Sequence, residues 1–508
     1  MPSQDPAADR RIRTVVIVGG GTAGWMAASA LNHLIDPGRL KVTLIESAAI
    51  GTIGVGESTL PHFRAFNASL GITEAQFMRA AGATFKLGIR FDDWGAMGED
   101  YFHPFGAHGT GNEEAPFHHY WLKGSRTADV GTIDDYCLSA VMAREARFTP
   151  PVSTPGALNS TFTYGYQMDA GLYAAFLRQR AEAAGVARIE GRVVRVDQDE
   201  NRGLIRAIIL ESGETIEGDL FIDCSGFRAL LIEQALGAGF TDWSHWLPCD
   251  SAVAIPCSSD QSGTPYTRAT ALKGGWQFRI PLQHRIGNGY VYSSDILDQA
   301  AATDELVGRL EGPALAEPLH LRFKAGQRTR NWMGNCVAVG LSAGFIEPLE
   351  STSIYLIQKA ITTLMELWPD RTFDPADSRE FNRVMDVEAE RVRDFIILHY
   401  HATRRDDSPL WNHVRTMALP DSLAEKIDLF RSRGAVRKYQ EGLFTHPSWV
   451  AVLVGQGVIP RNHHPLVDKV PDDHLISGLA GVRETIRRAA VAMPAHDAYL
   501  AGVLEDAR

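Results

Sequence analysis

Cysteine is scarce in this chain. There are five in 508 residues: Cys137, Cys224, Cys249, Cys257 and Cys336. The number is odd and no two sit in a CxxC spacing, which excludes a disulfide scaffold and a thiolate metal framework. The pattern reads as reduced, mostly buried thiols in a cytoplasmic protein. Basic charge is also short. Lys plus Arg is 50 against 61 for Asp plus Glu, a formal net charge of −11. A chain built to hold nucleic acid needs a basic face, so that partner class is excluded. Long apolar runs are missing. No uncharged apolar stretch reaches the roughly 18 residues of a membrane helix, and the N-terminus lacks the apolar core of a signal peptide. The sequence predicts a soluble, cytoplasmic protein with no membrane partner. No repeat or low-complexity tract appears. With 45% apolar and 22% charged residues the chain is neither disordered nor fibrous, and its length suits a large buried core.

The opening residues carry the first motif. Thr14 to Val18 is a short uncharged, β-branched run that predicts a strand. It ends in Gly19-Gly20-Gly21-Thr22-Ala23-Gly24. A helical stretch follows from Trp25 to about Leu34, and Lys41 to Glu46 reads as a second strand. The spacing Gly19-x-Gly21-x-x-Gly24 lets the backbone turn sharply and approach a pyrophosphate, with Thr22 and Ala23 in the turn and the free N–H groups of the following helix facing the phosphates. Glu46 lies 22 residues beyond Gly24, at a strand end, where an acid binds ribose hydroxyls. Strand, turn, helix, strand and acid occur in order, so dinucleotide binding is predicted. Further on, Asp169 to Gly185 reads as helical, and Ile189 to Val196, Leu204 to Leu210 and Leu220 to Cys224 read as strands. The stretch from about Tyr101 to Pro155 is rich in Gly, Pro, His and aromatics and predicts long loops over a site. A strand-rich stretch spans about Ser251 to Ser293. After Ser351 the chain is mainly helical.

Two segments separate FAD from NAD. Asp219-Leu220-Phe221-Ile222-Asp223-Cys224-Ser225-Gly226 and Gly334-Asn335-Cys336-Val337-Ala338-Val339-Gly340 are apolar strands entering small-residue turns. Both resemble the returning segments of the flavin monooxygenase fold, and Gly340, which ends the second, and Ser342, just beyond it, are carried over as cofactor-binding. Gly344-Phe345-Ile346-Glu347-Pro348-Leu349-Glu350-Ser351-Thr352-Ser353 follows. Together with Gly54-Val55-Gly56-Glu57-Ser58-Thr59, Phe85-Lys86-Leu87-Gly88-Ile89-Arg90-Phe91 and Trp276-Gln277-Phe278-Arg279-Ile280-Pro281, it resembles the flavin-dependent halogenases of the tryptophan halogenase family, from about Thr14 to Pro465.

The resemblance implies an α/β chain: a Rossmann-like flavin monooxygenase fold with a strand-rich substrate layer and a helical C-terminal region. It divides as 1–368, the flavin module with its interleaved substrate layer, and 369–508, the helical region over the substrate site. The resemblance implies that reduced FAD from a separate flavin reductase, dioxygen and a halide ion give hypohalous acid. That oxidant passes to Lys86, which hydrogen-bonds it or forms a haloamine. Glu350 orients the electrophile or takes the proton of the cationic ring intermediate. Thr352 and Ser353, at a helix start, match the halide site, where the family commonly has Gly at the second position. Trp276, Phe278, Ile280 and Pro281 match the barrier that keeps substrate off the flavin, with Phe278 replacing the family's second Trp. His103 and Phe105 resemble the loop that sandwiches an indole, and Phe444 ends the stretch from Arg433 that matches the family's clamp for free tryptophan. The paired Tyr and the Phe-Trp of that clamp are absent, so a bare indole-like aromatic is the expected substrate.

His118-His119 and His399-Tyr400-His401 lack neighbouring acids or thiols; they read as packing groups and no metal is expected. Trp411 and Trp449 read as core. Two rivals stand beside the halogenase reading: a flavin-dependent aromatic hydroxylase or monooxygenase, and a non-catalytic flavin-binding protein. The sequence leaves the oligomeric state open, a homodimer included.

Overall fold

Burial sets the sheet order. The strand Thr14–Val18 is buried from Val15 onward, so it belongs in the middle of a covered parallel sheet. In the computed structural model, which describes residues 9–35, 38–47, 56–109, 114–199, 202–259, 263–437 and 442–505, it pairs in parallel with Lys41–Glu46 and with Leu220–Asp223. The six-stranded sheet runs Trp332–Met333, Cys336–Ala338, Leu220–Asp223, Thr14–Val18, Lys41–Glu46, Ala187–Glu190. Only its Trp332–Met333 edge is antiparallel. The first helix, Thr22–Leu34, starts three residues earlier than the sequence predicts and packs against Ala170–Ala183. Its first turn approaches the strand end closely, because Gly24 has no Cβ: one there would lie 1.9 Å from the Gly19 carbonyl oxygen.

The strand-rich stretch forms most of a second, seven-stranded sheet: Leu319–Arg322, Ser251–Ala254, Ile286–Tyr292, Gly275–Pro281, Thr267–Leu272, Gly88–Asp92, Asp100–Pro104. Strand alternation puts Trp276, Phe278 and Ile280 on one face, toward the first sheet, and Pro281 on the other. A small sheet of Gly56–Ser58, Gly165–Asp169 and Thr84–Lys86 bridges the two layers.

Two expectations need correcting. Ile189 to Val196 is not one strand. Ala187–Glu190 ends in the main sheet, and the chain breaks at Gly191, whose N–H donates to Glu46 O. Val193–Gln198 then joins a separate three-stranded sheet with Ile205–Leu210 and Thr215–Glu217. The stretch from Tyr101 to Pro155 is more regular than its Gly and Pro content suggests. It holds the end of the strand Asp100–Pro104 and the helices Phe117–Ser125 and Leu138–Arg144. Pro116 sits just outside the first helix, where its ring costs nothing, and buried Phe117, Leu122, Leu138 and Val141 supply the apolar faces. Gly54 and Val55, and Lys438 to Glu441 of the clamp stretch, lie outside the described residues.

After Ser351 the chain is mainly helical, as expected, and Ser353–Glu366, Pro375–His401 and Asp472–Val491 are the longest helices of that region. The largest apolar core runs from Ile12 to Leu500 and draws on both sides of residue 368. A second core joins Phe91, Trp94 and Trp276 to Phe395, Trp411 and Trp449. Among the described residues no helix is long and apolar enough to cross a membrane.

Gly24→Ala forces a methyl group onto a backbone oxygen, so it should destabilise the fold by about 1–3 kcal/mol. The denaturant midpoint checks this: an unchanged midpoint refutes the close approach.

Candidate active site

A cavity of about 900 Å³ lies between the two sheets, within the range of cofactor sites. Gly19, Gly20, Gly21, Thr22 and Ala23 line one end. Gly19 has φ +117°, open to glycine, and a Cβ on Gly20 would meet Glu46 Oε2 at 1.6 Å. Gly21 caps the helix with no side-chain hydrogen bond, so the first-turn N–H groups stay available to a phosphate. Glu46 lines the cavity at the end of the second strand. Trp25 Nε1 donates to its Oε2 at 3.3 Å, and Arg178 and Arg188 pair with its Oε1. Gly340, with φ +73°, completes the floor beside Ala23. This cradle of bare backbone and one strand-end carboxylate fits the diphosphate and ribose of FAD.

Two predicted cofactor residues act from behind the wall. Gly24 only brings helix and strand together. Ser342 is fully buried, and its hydroxyl donates to Asp223 Oδ1 at 3.1 Å. Sequence reasoning missed Asp223 itself. Its carboxylate also accepts from the N–H groups of Ser225, Leu231 and Ile232 and so fixes the turn that lines the cavity. The signal was present: an acid closing an otherwise apolar strand.

At the far end the cavity meets Trp276, Phe278, Ile280, Ser351 and Ser353. Pro281 faces away, and its carbonyl accepts from Thr84 Oγ1 at 2.7 Å. Ser351 has φ +61°, a left-handed turn that L side chains adopt at a cost of order 1–2 kcal/mol. The turn ends the segment Pro348–Glu350 and starts the helix Ser353–Glu366. Thr352 is fully buried, and its Oγ1 has no hydrogen-bond partner among the described residues.

Lys86 lies just across this turn. It is fully buried, its Nζ donates to Ser351 Oγ at 2.7 Å, and it sits 5.0 Å from the Phe105 ring centroid. Burial lowers its pKa to about 7 against the opposing pull of Glu350 and Glu57. Glu350, next to Ser351, is equally buried. Its Oε2 accepts from His103 Nδ1 at 2.8 Å, and His399 Nε2 lies 2.9 Å from its Oε1. Burial raises the pKa of this carboxyl, but the two imidazoles outweigh burial and draw it down to about 2. His399 Nδ1 is 2.7 Å from Phe395 O. The two ring nitrogens of His399 thus lie beside two oxygens, one of the Glu350 carboxylate and one of the helix backbone.

His399 corrects the sequence reading, which took it for packing. Its signal was its place on a long helix whose buried face also carries Phe395. That ring and Trp449, read as core, belong with the predicted substrate residues. Phe444 stacks on Phe395 at 3.8 Å, Trp449 meets Phe395 edge-on at 4.9 Å, and His103 lies 5.5 Å from Phe395 and 6.2 Å from Phe444. Phe105 meets His103 edge-on at 6.4 Å. Of the other histidines singled out, His118 holds Gly434 O at 2.7 Å. Among the described residues no three metal-ligating side chains converge.

The chain resembles known proteins over nearly its whole length. A family model described as tryptophan halogenase matches residues 14–472. The tryptophan 6-halogenase SttH of Streptomyces toxytricini is 36% identical, covering 96% of this chain and 98% of its own. The tryptophan 7-halogenase RebH of Lentzea aerocolonigenes is also 36% identical, with 91% and 92% covered. The solved structure of BrvH, a flavin-dependent halogenase from Brevundimonas sp. BAL3, superposes with a TM-score of 0.94 at 46% identity, covering 97% of this chain and all of that one. A glycine turn at one end of the cavity, a strand carrying Trp276 and Phe278 at the other, and a buried lysine and glutamate beyond it thus stand on the scaffold of these enzymes: the chain belongs to the tryptophan halogenase family and is a flavin-dependent halogenase.

Proposed function

We propose that this enzyme halogenates a free indole-like aromatic, with Lys86 and Glu350 as its catalytic residues. One observation carries the reading. A single left-handed turn places Ser351 on the wall of the flavin cavity, bonded to Lys86, and puts Glu350 beside it, clamped by two imidazoles. Bound reduced FAD, supplied by a separate flavin reductase, provides with dioxygen and halide the electrophilic hypohalous acid. Gly19, Gly21, Thr22, Ala23, Glu46 and Gly340 hold it, Gly24 and Ser342 shape that cradle, and Trp276, Phe278 and Ile280 keep the aromatic away from it. Thr352 and Ser353, at a helix start with an unpartnered buried hydroxyl, hold the halide.

Lys86 then aims the oxidant. Its ammonium donates to the hypohalous oxygen, withdraws electron density from the halogen and assists loss of that oxygen as water. Glu350 remains a carboxylate, because its pKa lies near 2, and stabilises the positive charge that grows on the ring. A base this weak does not hold the ring proton for long. Glu350 passes that proton on to water. The rings of His103, Phe105 and Phe444 stack the flat substrate, and the helical region 369–508 covers it with Phe395 and Trp449.

Lys86→Ala should leave flavin oxidation intact while halogenated product falls at least about a hundredfold, a loss of about 2.7 kcal/mol of transition-state stabilisation. Mass spectrometry of product beside dioxygen uptake reads both, and normal halogenation by the variant ends the assignment. Because the ammonium is the working form, product per flavin oxidised should decline in the wild type as pH rises through about 7. A rise over that window would favour the neutral amine and a haloamine instead.

For Glu350→Gln the expected outcome is a fall of about a hundredfold in kcat with FAD affinity retained. Unchanged turnover would count against a charged role. Without partners for an amino acid's ammonium and carboxylate, kcat/KM for indole should exceed that for free tryptophan by at least about tenfold. The opposite ranking would overturn the substrate assignment.

A further inference from the structure

The turn that carries Glu350 holds a second buried carboxyl that the reaction above does not use. Glu347 is fully buried, between Ile346 and Pro348, which both line the flavin cavity. Its Oε2 accepts two hydrogen bonds, from Trp276 Nε1 at 2.9 Å and from Tyr400 OH at 2.6 Å. Its Oε1 has no partner among the described residues. Tyr400 follows His399 on the helix Pro375–His401. Consecutive residues of one helix therefore bind the two carboxyls of Glu347-Pro348-Leu349-Glu350. Glu350 meets imidazoles, whereas Glu347 meets an indole N–H and a phenol, with the Cys249 thiol 3.3 Å from that phenol oxygen. None of these partners is a cation. Burial raises the Glu347 pKa to about 7, while Glu350 is drawn down to about 2. Environments that push two carboxyls apart assign them different work.

A buried carboxyl without a counter-charge is costly, and an apolar residue of similar size would pack the same space. What an apolar residue lacks is an acceptor for two donors at once. One donor here is Trp276, a large ring on the wall of the flavin cavity.

We propose that Glu347 is the positioning residue for that wall: by holding the Trp276 indole against Tyr400 it keeps oxidant made at the flavin directed to Lys86. The inference rests on the halogenase mechanism proposed above. Glu347 touches neither substrate nor the reacting atoms. Its effect is on coupling, the halogenated product formed per dioxygen consumed.

The test compares Glu347→Gln and Glu347→Leu in the full-length enzyme, with FAD, a flavin reductase, NADH, bromide and indole. Both variants should keep the wild-type FAD dissociation constant within about threefold and oxidise flavin at a similar rate. Gln keeps a carbonyl acceptor, so its coupling should stay within about twofold of wild type, whereas Leu should lose about tenfold, with the missing oxidant recovered as peroxide or as halogenation of a small trap in bulk solution. Trp276→Phe removes the other end of the bond and should reproduce the Leu phenotype, with no added loss in the double variant. Coupling that stays at the wild-type level in Glu347→Leu overturns the proposal. So does additive loss in the double variant, or a Gln variant as uncoupled as the Leu one. If Leu does not fold, the Trp276→Phe and Gln results decide alone: a coupled Trp276→Phe enzyme refutes it. A wild-type enzyme that gives no halogenated product would instead sink the mechanism on which the inference rests.

Discussion

Two buried ionisable groups from distant parts of the chain, Lys86 and Glu350, meet around Ser351, and the fold must keep both dry. Ions moved into an apolar interior lose several kcal/mol of hydration, and their mutual attraction repays that only with excellent geometry. Here they are not bonded to each other. Lys86 donates to Ser351, and Glu350 accepts from His103 and faces His399. Each charge is satisfied separately, so each is open to a reactant on its remaining side. A direct ion pair would have quenched both.

That requirement shapes the fold around it. His103 comes from the edge strand of the seven-stranded sheet, Lys86 from the small bridging sheet, and His399 from near the C-terminal end of a 27-residue helix. Three distant segments must register on one turn, and Ser351 makes that turn by accepting a left-handed backbone. The same helix supplies Tyr400 to Glu347, so a single element sets the position of the reacting carboxylate and of the wall behind it. The strand alternation that aims Trp276, Phe278 and Ile280 at the cavity is the matching constraint from the other side.

The flavin half was legible because its physics is local. A β-branched run, three spaced glycines and an acid at the next strand end are set by a tight strand-to-helix turn, and Gly24 and Gly19 show the close approach of backbone to backbone there in their missing Cβ atoms. Lys86, Glu350, Thr352 and Ser353 were legible only through likeness to a family, since no spacing in the sequence links residue 86 to residue 350. The misses share a cause. Asp223, Glu347, Phe395 and His399 gain their meaning from partners far away in the sequence, except where Asp223 also ties its own turn. Periodicity identifies such residues as buried and says nothing of what they face. The irregular composition of 101–155 misled for a related reason: burial of Phe117, Leu138 and Val141 overrode the local Gly and Pro signals.

The two glutamates of the Glu347–Glu350 turn show why residue type alone could not assign function. They are three positions apart, equally buried and bound by adjacent residues of the same helix. One faces imidazoles and stays ionised; the other faces an indole and a phenol, and burial holds its proton up to neutral pH. The charged one suits a site where positive charge appears on a ring. The other, whose proton is held up to about pH 7, suits a wall, where a permanent unpaired charge would be costly to bury. The difference lies wholly in the partners, and those are delivered by one helix whose successive side chains point to different neighbours.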